Sequence, residues 1–384
     1  MKEKKSVRVG MIGYSFMGKV HSNAYRSVPF FFNLEAEPIL QAICGRNEKN
    51  VEEQSKKLGW KSYETDWKQL IKRDDIDLID ISTPNNTHYE IVLAAAKAGK
   101  HIICEKPLAN TLGEAKEMLK AVNDAGVIHM ISHNYRFSPA VQFAKKLISE
   151  GRIGKIRHIR ATYLQDWLLD PSYPMEWRLK KEVSGSGTLG DLGSHIIDLA
   201  RFLVGEINEV VGMMETFIDE RPQTVNAHES EGMGKVTVDD TSSFLARFDN
   251  GALGNFETTR FAGGNKAGNR FEINGDKGSI RWDLENMNNL EVYLVDDEPG
   301  LQGFRTINCT EEVHPYADAY WPAGHIIGYE HTFINQMSEL INGISSGNIP
   351  TPNFEDGVRN QQVLHAITES INTKKWVKVS KELD

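Results

Sequence analysis

The stretch VRVGMIGYSFMG, residues 7–18, decides the fold of the first part of the chain. Its first six residues form an apolar run that predicts a buried strand, and a helical pattern follows from Gly18 to Arg26. Between them lies G-x-G-x-x-G with Ser15 in place of the middle glycine. Gly13 permits a tight turn, the small Ser15 lets the backbone approach a diphosphate, and Gly18 permits close packing of the helix on the strand. The context predicts a dinucleotide-binding loop. A plain strand–helix turn is the alternative.

The same alternation of strand and helix continues outward from this stretch. Further apolar runs predict strands, and amphipathic segments between them predict helices. The pattern is typical of a parallel sheet covered by helices on both faces, the doubly wound Rossmann arrangement. We therefore predict an α/β dinucleotide-binding domain over residues 1–133. The predicted strands are 7–12, 38–44, 77–82, 101–104 and 127–131, and the predicted helices behind them include 87–98 and 111–125.

The pattern changes after residue 132. Closely spaced strand-like runs between 210 and 295, separated by turn signals such as Asn274-Gly275, predict an open, mainly antiparallel sheet. We predict an α+β domain over residues 134–384. Polar segments 222–234 and 296–324 are expected to be loops. The predicted helices are 138–150, 194–204, 328–344 and 354–373, and the last of these is a candidate to pack back on the first domain.

Composition excludes several classes of function. The chain has 384 residues, of which 40% are hydrophobic and 25% charged, and a formal net charge of −9 with dispersed Lys and Arg. These values argue against nucleic-acid and anionic-membrane partners. No apolar run approaches the roughly 20 residues of a membrane span. The three cysteines form neither C-x-x-C nor an evident disulfide framework, so we expect a reducing cytoplasm and no metal site.

The end of the second predicted strand bears on the choice of cofactor. An NAD site usually carries an acidic residue there, which binds the adenosine ribose. This chain has Gly45-Arg46 instead. Arg46 is placed to face the 2′-phosphate of NADP, or to stack on adenine whatever the phosphate. The residues alone leave both NAD and NADP open.

Polar motifs follow three of the predicted strands, at the sheet edge where ligands bind in such folds. They are Thr83-Pro84-Asn85-Asn86-Thr87-His88, Glu105-Lys106-Pro107 and His133-Asn134-Tyr135-Arg136. Lys106 lies between a buried strand and a proline, which favours a functional role over a solvated surface charge, whereas His88 is also a candidate helix cap. The predicted cofactor contacts are Gly13, Ser15, Phe16, Met17, Gly18, Arg46, Thr83, Pro84, Asn85, His88, Glu105, Lys106 and Asn134.

Two ionisable residues in the second domain are four positions apart. Asp191 and His195 would share one helix face beside apolar Ile196 and Ile197, so a satisfied core histidine is one interpretation. The acidic neighbour one turn away favours catalysis, and no third ligand for a metal is evident. A literal G-x-G-x-x-G also occurs at 185–190. We reject it as a dinucleotide loop because the residues before it are polar and not strand-like.

Together, and in this order, these motifs resemble the Gfo/Idh/MocA family of oxidoreductases over nearly the whole chain. Segments 16–23, 176–178 and 328–330 look most like its branch of sugar 3-dehydrogenases, which includes levoglucosan dehydrogenase. The resemblance implies that Lys106, Asp191 and His195 act at the reacting carbon, and that the antiparallel sheet makes a homodimer or homotetramer. Ser15 and Gly45-Arg46 depart from the family pattern. Because members that lack the strand-end acid include NAD users, the resemblance leans toward NAD.

The expected function is an NAD(P)-dependent dehydrogenase that transfers hydride from a secondary hydroxyl, with C3 a candidate carbon, of a sugar, sugar derivative or cyclic polyol. One alternative is an NAD-dependent glycosidase that oxidises C3 transiently and eliminates the aglycone. Another is a sensor that binds dinucleotide without catalysis, against which the catalytic set argues. Residues expected to hold the substrate are Tyr135, Arg136, Trp177, Arg178 and His325.

Overall fold

The computed structural model of this protein describes residues 5–226 and 229–383. Two compact units emerge. Of the described residues, the first unit contains 5–137, Ile327–Val358 and Leu383, and the second contains Ser138–Ile326 and Arg359–Glu382.

The first unit is built on a six-stranded parallel sheet. Its strand order is β3-β2-β1-β4-β5-β6, the order of doubly wound dinucleotide-binding folds. Successive strands are added on one side of β1 up to β3 and on its other side from β4 onward, so the strand order reverses between β1 and β4. Apolar strands suit this position because helices cover both faces of such a sheet. The strands are β1 (Lys5–Ile12), β2 (Ala36–Cys44), β3 (Ser62–Glu64), β4 (Leu78–Ile81), β5 (His101–Glu105) and β6 (His129–Ser132).

Five helices connect these strands. They bury apolar side chains such as Val92, Met118 and Val122 against Ile79 and Ile102 of the sheet. Thr111 begins one of them with a capping box, in which its hydroxyl accepts from the Glu114 amide. The helices are α1 (Phe16–Phe31), α2 (Glu48–Leu58), α3 (Trp67–Lys72), α4 (His88–Lys97) and α5 (Leu112–Ala125).

The second unit contains a nine-stranded sheet, in order β16-β15-β14-β13-β7-β12-β11-β8-β17. Neighbouring strands run antiparallel except β7 and β12, which are parallel. The strands of this sheet are β7 (Ile156–Leu164), β8 (Ile207–Glu215), β11 (Thr241–Phe248), β12 (Leu253–Thr259), β13 (Gly268–Gly275), β14 (Gly278–Asp283), β15 (Asn289–Leu294), β16 (Arg305–Asn308) and β17 (Val377–Lys378). The predicted fold class, a Rossmann domain followed by a mainly antiparallel α+β domain, is confirmed.

Helices pack against one face of the larger sheet. These are α6 (Pro139–Ser149) and α8 (Ser194–Leu203), whereas the short helix α7 (Lys181–Ser184) packs on the 3₁₀ turn Trp177–Leu179. Alternate residues of β11 illustrate the two-sided character of the sheet, since Phe244 and Ala246 are buried while Leu245 and Arg247, which alternate with them, are exposed. The ring of Phe244 stacks on Phe256 of β12, with centroids 4.5 Å apart.

Two segments expected to be loops contain strands. Most of 222–234 belongs to an antiparallel pair, β9 (Glu220–Asn226) and β10 (Glu229–Lys235), with residues 227–228 of the expected loop outside the described residues. The pairing is made by backbone hydrogen bonds, which need no apolar alternation. In the same way, β16 lies inside the segment 296–324.

The last part of the chain divides differently from the sequence expectation of 1–133 and 134–384. Helix α9 (Tyr329–Ser346) belongs to the first unit, where Asn134 donates to the Thr332 hydroxyl at 2.9 Å and Asn335 donates to the Phe137 carbonyl at 2.9 Å. The division then falls inside α10 (Phe354–Thr373), between Val358 and Arg359.

Candidate active site

The glycine loop after β1 fits a dinucleotide because its backbone leaves no space for a side chain. Gly13 has φ of +107°, a conformation that favours glycine. A Cβ atom at this position would lie 2.4 Å from the Ser82 carbonyl oxygen, at the end of the neighbouring strand β4. The loop therefore makes a close backbone turn at the switch between β1 and β4, where ligands bind in this fold.

The start of α1 is suited to a negative charge. Ser15 is its N-cap residue, and its hydroxyl makes no capping bond to the helix. No acidic residue lies in the first turn, so the amides there remain suited to a diphosphate. The neighbouring Phe16 is 62% exposed, and its ring stacks on Tyr329 with centroids 6.4 Å apart. Met17 is half-buried and Gly18 is buried.

The space available at the end of β2 explains why Gly45, and not an acidic residue, stands there. A Cβ atom on Gly45 would lie 1.9 Å from a carbon of the Tyr14 ring. Tyr14 therefore occupies the space that a larger residue at position 45 would need. Arg46, the next residue, is exposed.

The loop after β4 is tied to the segment after β5. Asn85–Thr87 form a single 3₁₀ turn after Pro84, and the Thr83 and Thr87 hydroxyls are 2.6 Å apart. His88 is fully buried, and its ring nitrogens face the carbonyl oxygens of Thr83 at 3.0 Å and Pro107 at 3.2 Å. Burial lowers the pKa of His88. These contacts give His88 the role of joining two loops at the sheet edge.

Lys106 directly follows β5 and is half-buried. The Glu105 carboxylate before it is buried, and it accepts from the Lys106 amide at 3.2 Å and from His21 at 3.0 Å. Burial opposes the ionisation of Glu105, but the bond from His21, with the charges of His21 and Lys106, holds the pKa of Glu105 below its usual value. Because β1, β4 and β5 are adjacent and parallel, Lys106 lies at the same sheet edge as the glycine loop.

The motif after β6 is buried and bonded to the later part of the first unit. Asn134, whose side-chain amide donates to Thr332 of α9, is 2% exposed. Tyr135 is buried, with its ring 6.3 Å from that of Tyr329. Arg136 is also buried and pairs with Asp356 at 3.0 Å. This ion pair gives Arg136 a structural partner within its own unit.

In the second unit, Asp191 and His195 lie at the junction of two kinds of helix. Asp191 belongs to a π-helical turn, Leu189–Gly193, and His195 to the first turn of α8. The single regular helix expected from the spacing is therefore interrupted, and such π turns are frequent at functional sites. The His195 ring is buried, 5.8 Å from the Tyr163 ring.

A buried arginine holds Asp191 in place. Arg260 donates to the Asp191 carboxylate at 2.7 Å, and its side chain is 1% exposed whereas that of Asp191 is 31% exposed. The Trp167 ring covers the same guanidinium at 5.0 Å. The carboxylate thus has one side on a fixed cation and another toward solvent, which suits an acceptor for a substrate hydroxyl.

The rejected glycine pattern at 185–190 has a different partner. Asp239 accepts from the Gly187 amide at 2.8 Å, from the Thr188 hydroxyl at 2.7 Å and from the Leu189 amide at 2.8 Å. A helix, α7, precedes this turn rather than a strand. The turn leads directly into the π-helical turn that carries Asp191, so Asp239 fixes the approach to it.

Of the remaining predicted substrate residues, Trp177 and Arg178 lie in a 3₁₀ turn, Trp177–Leu179, and His325 lies in an irregular segment. The Arg178 guanidinium packs on the Trp177 ring at 4.5 Å, and Arg178 pairs with Glu176 at 3.6 Å. His325 is exposed, and its Nδ1 atom lies 2.8 Å from the Pro322 carbonyl oxygen.

We expect Arg260→Met to destabilise the protein by about 1–3 kcal/mol, because it leaves a partly buried carboxylate without its counter-charge. Methionine keeps much of the volume beside Trp167. Arg270→Met is the control, because Arg270 also forms ion pairs, with Asp283 and Glu285, but its side chain is 41% exposed. We expect this change to cost below about 1 kcal/mol. Urea unfolding of both variants measures the difference. Equal losses would contradict a special role for the Arg260–Asp191 pair.

Sequence reasoning missed several residues that support the site. His21, Tyr14, Arg260 and Asp239 were not identified as site residues. One signal was available, because Asp80 stands within the apolar strand β4 and a buried carboxylate needs a partner.

Among the described residues, no group of three or more His, Cys, Asp or Glu side chains is arranged to hold a metal ion. In the same part of the chain, no helix combines the length and the apolar character needed to cross a membrane.

Comparison with known proteins covers both units. The model of the oxidoreductase family with an NAD-binding Rossmann fold matches residues 7–133, and that of the GFO/IDH/MocA C-terminal domain matches residues 141–281. Levoglucosan dehydrogenase of Pseudarthrobacter phenanthrenivorans is 42% identical over 98% of each chain. A crystal structure of an oxidoreductase domain protein from Kribbella flavida is 48% identical with a TM-score of 0.95, covering 98% of this chain and 100% of that one. A levoglucosan dehydrogenase complex with NADH and levoglucosan is 43% identical with the same TM-score and coverage.

Proposed function

This chain belongs to the Gfo/Idh/MocA family of oxidoreductases, and from that premise we propose that it oxidises a secondary ring hydroxyl of a sugar, an anhydrosugar or a cyclic polyol, with C3 the candidate carbon. The proposal rests on two features that meet at one edge of the parallel sheet. There the Gly13 backbone closes on Ser82 without space for a side chain, and Lys106 follows β5 at the same edge. The relative that acts on levoglucosan supports the sugar class.

We assign the chemical roles as follows. The glycine loop and the first turn of α1 would hold NAD, which would supply the acceptor for the hydride. His195 takes the hydroxyl proton, since histidine titrates near neutral pH. Lys106 stabilises the negative charge that develops on the oxygen. Asp191, fixed by Arg260, accepts a hydrogen bond from a hydroxyl of the substrate. Supporting these roles are the half-buried position of Lys106 and the ion pair that holds Asp191.

A substrate panel tests this function directly. Levoglucosan, glucose, myo-inositol and an aryl glucoside are each incubated with NAD and NADP, and the absorbance of reduced nicotinamide is followed together with release of the aryl group. We expect stoichiometric reduced cofactor with at least one sugar or polyol. Release of the aryl group without net reduced cofactor would instead support a glycosidase. Cofactor binding without turnover on any compound would support a sensor.

We propose NAD rather than NADP as the cofactor, with Arg46 stacked on adenine. The exposed side chain of Arg46 and the NADH bound to the related levoglucosan dehydrogenase support this choice. Arg46→Ala should then weaken NAD and NADP binding by similar factors, about two- to tenfold. Fluorescence titration with each reduced cofactor measures both dissociation constants. A loss confined to NADPH would show that Arg46 binds a 2′-phosphate.

We also propose that the protein is a homodimer or homotetramer formed through the larger sheet. Exposed apolar side chains on its uncovered face support this proposal. Met213 of β8 is 71% exposed, Leu245 of β11 is 47% exposed and Leu253 of β12 is 45% exposed. Light scattering on the eluting protein gives the molar mass. A mass of about one chain at micromolar concentration would contradict the proposal.

A cytoplasmic location completes the proposal. Cys44, Cys104 and Cys309 are buried and unpaired. Burial raises the pKa of Cys44 and of Cys309 to about 12, so these thiols are poorly reactive. Their reduced state agrees with a reducing compartment. Fractionation of the source cells, followed by detection with an antibody, tests the location.

A further inference from the structure

A fully buried histidine lies between two carboxylates in the first unit. The Nδ1 atom of His21 is 2.8 Å from an Asp80 oxygen, and its Nε2 atom is 3.0 Å from a Glu105 oxygen. A neutral imidazole has one donor nitrogen, so its second nitrogen would turn a lone pair toward a carboxylate. Both nitrogens therefore carry protons. Burial opposes the charged ring, but the charge of Asp80 and the bonds to Asp80 and Glu105 raise the pKa of His21 to about 10.

Two hydroxyl groups complete the cluster on the side of Asp80. Tyr25 donates to one carboxylate oxygen at 3.0 Å, and Ser82 donates to the other at 2.9 Å. The Glu105 side of the cluster differs, because its second oxygen accepts from the Lys106 amide at 3.2 Å. Each carboxylate is thus bonded on both oxygens, and the Glu105 carboxylate next to Lys106 has His21 as its hydrogen-bonded charge partner.

We propose that His21 is a positioning residue: as an imidazolium it fixes Glu105, and through Glu105 it fixes the backbone from which Lys106 extends. The inference rests on the proposed role of Lys106. His21 belongs to α1, Asp80 to β4 and Glu105 to β5. The cluster therefore joins the helix that follows the glycine loop to the strand that ends at Lys106.

A purely structural role would not require this charge. Replacing a buried ion pair by apolar residues is often neutral or stabilising, because removing charges from water is costly. The same unit offers a comparison in His129, which is 2% exposed and accepts from the Phe354 amide at 3.2 Å. Burial lowers the pKa of His129 to about 4, so that ring is neutral. His129 is therefore a matched buried histidine, and its ring bonds to the Phe354 amide.

The test is a double-mutant cycle with a control. His21→Gln is made in the parent protein and in Lys106→Met, and His129→Gln is made in the parent. Glutamine has one donor nitrogen where the imidazolium has two, and it carries no charge. We expect His21→Gln to lower kcat about tenfold or more in the parent but less than about threefold in Lys106→Met, since residues that act as a unit are not additive. The NADH dissociation constant should change little, and His129→Gln should lower stability without this loss of kcat.

Three results would overturn the inference. The first is the same factor in both backgrounds, which would mean that His21 acts independently of Lys106. The second is an equal loss of kcat in His129→Gln, and the third is an unchanged kcat in His21→Gln. If His21→Gln does not fold, Glu105→Gln replaces it in the same cycle with the same expectations. Unchanged turnover in Lys106→Met alone would refute the proposed role of Lys106, whereas additive losses with an impaired Lys106→Met refute only the inference about His21.

Discussion

Lys106→Met is expected to lower turnover about 10²–10⁴-fold, the range typical of acid–base and charge-stabilising groups. An ammonium near the reacting oxygen favours the alkoxide-like transition state more than the neutral alcohol, so its loss should reduce kcat more than it weakens substrate binding. Methionine keeps much of the volume of the side chain. Fold and cofactor binding should therefore survive the change.

The measurement is steady-state turnover on the true substrate, with NADH binding as the check of the fold. Lys120→Met is the control, because Lys120 is 74% exposed and pairs with Asp124 one helical turn away in α5. We expect parent activity from this control. His195→Ala should combine with Lys106→Met less than additively, since both are proposed to act on one proton and one oxygen. Turnover of Lys106→Met within a few-fold of the parent would show that the lysine has no chemical role.

Gly13→Ala should weaken dinucleotide binding about 10- to 100-fold, the equivalent of the 1–3 kcal/mol that a strained backbone position costs. Alanine adds the one atom that the turn excludes, 2.4 Å from the Ser82 carbonyl oxygen. Either the loop or the end of β4 must move, and the amides of the first turn of α1 move with the loop.

Gly59→Ala separates backbone strain from steric exclusion. Gly59 follows α2 with φ of +80°, but a Cβ atom there has no neighbour within 4 Å. We expect this control to lose stability while NADH binding stays at the parent value. Calorimetric titration of the two variants gives the comparison. Parent-like binding in a folded Gly13→Ala would refute the assignment of the loop.

The parallel sheet could be predicted because its strands are continuous apolar runs, as expected for strands buried on both faces. Two connecting helices and a strand between residues 48 and 72 were not predicted. Helix α2 has the sequence EKNVEEQSKKL, in which Val51, Ser55 and Leu58 are the buried positions, so its apolar periodicity is weak. Strand β3 has three half-buried residues and carries no apolar signal at all. The strands β9 and β10 were hidden by their polar composition.

The motif residues of the candidate site could be proposed from spacing, because strand ends and glycine patterns are local. Their supporting partners could not. His21 meets Asp80 from 59 positions away, and Arg260 meets Asp191 from 69 positions away. Such pairings depend on how the strands are ordered in the sheet. A single sequence indicates that Asp80, inside an apolar strand, requires a polar partner, but it does not indicate which residue that partner is.

The turn at 185–190 shows what a glycine pattern can do without any ligand. Its amides at Gly187 and Leu189 and its Thr188 hydroxyl converge on one anion, as donors do around a bound phosphate, but the anion is the Asp239 carboxylate. Because Asp239 is tethered by the chain, it is present at an effective concentration that free phosphate in a cell does not reach. The Asp239 carboxylate therefore occupies these donors in place of a free anion. A search for G-x-G-x-x-G finds this turn and misses the loop at 13–18, which has Ser15 in the middle, although it is the loop at 13–18 that we propose as the site of an external anion.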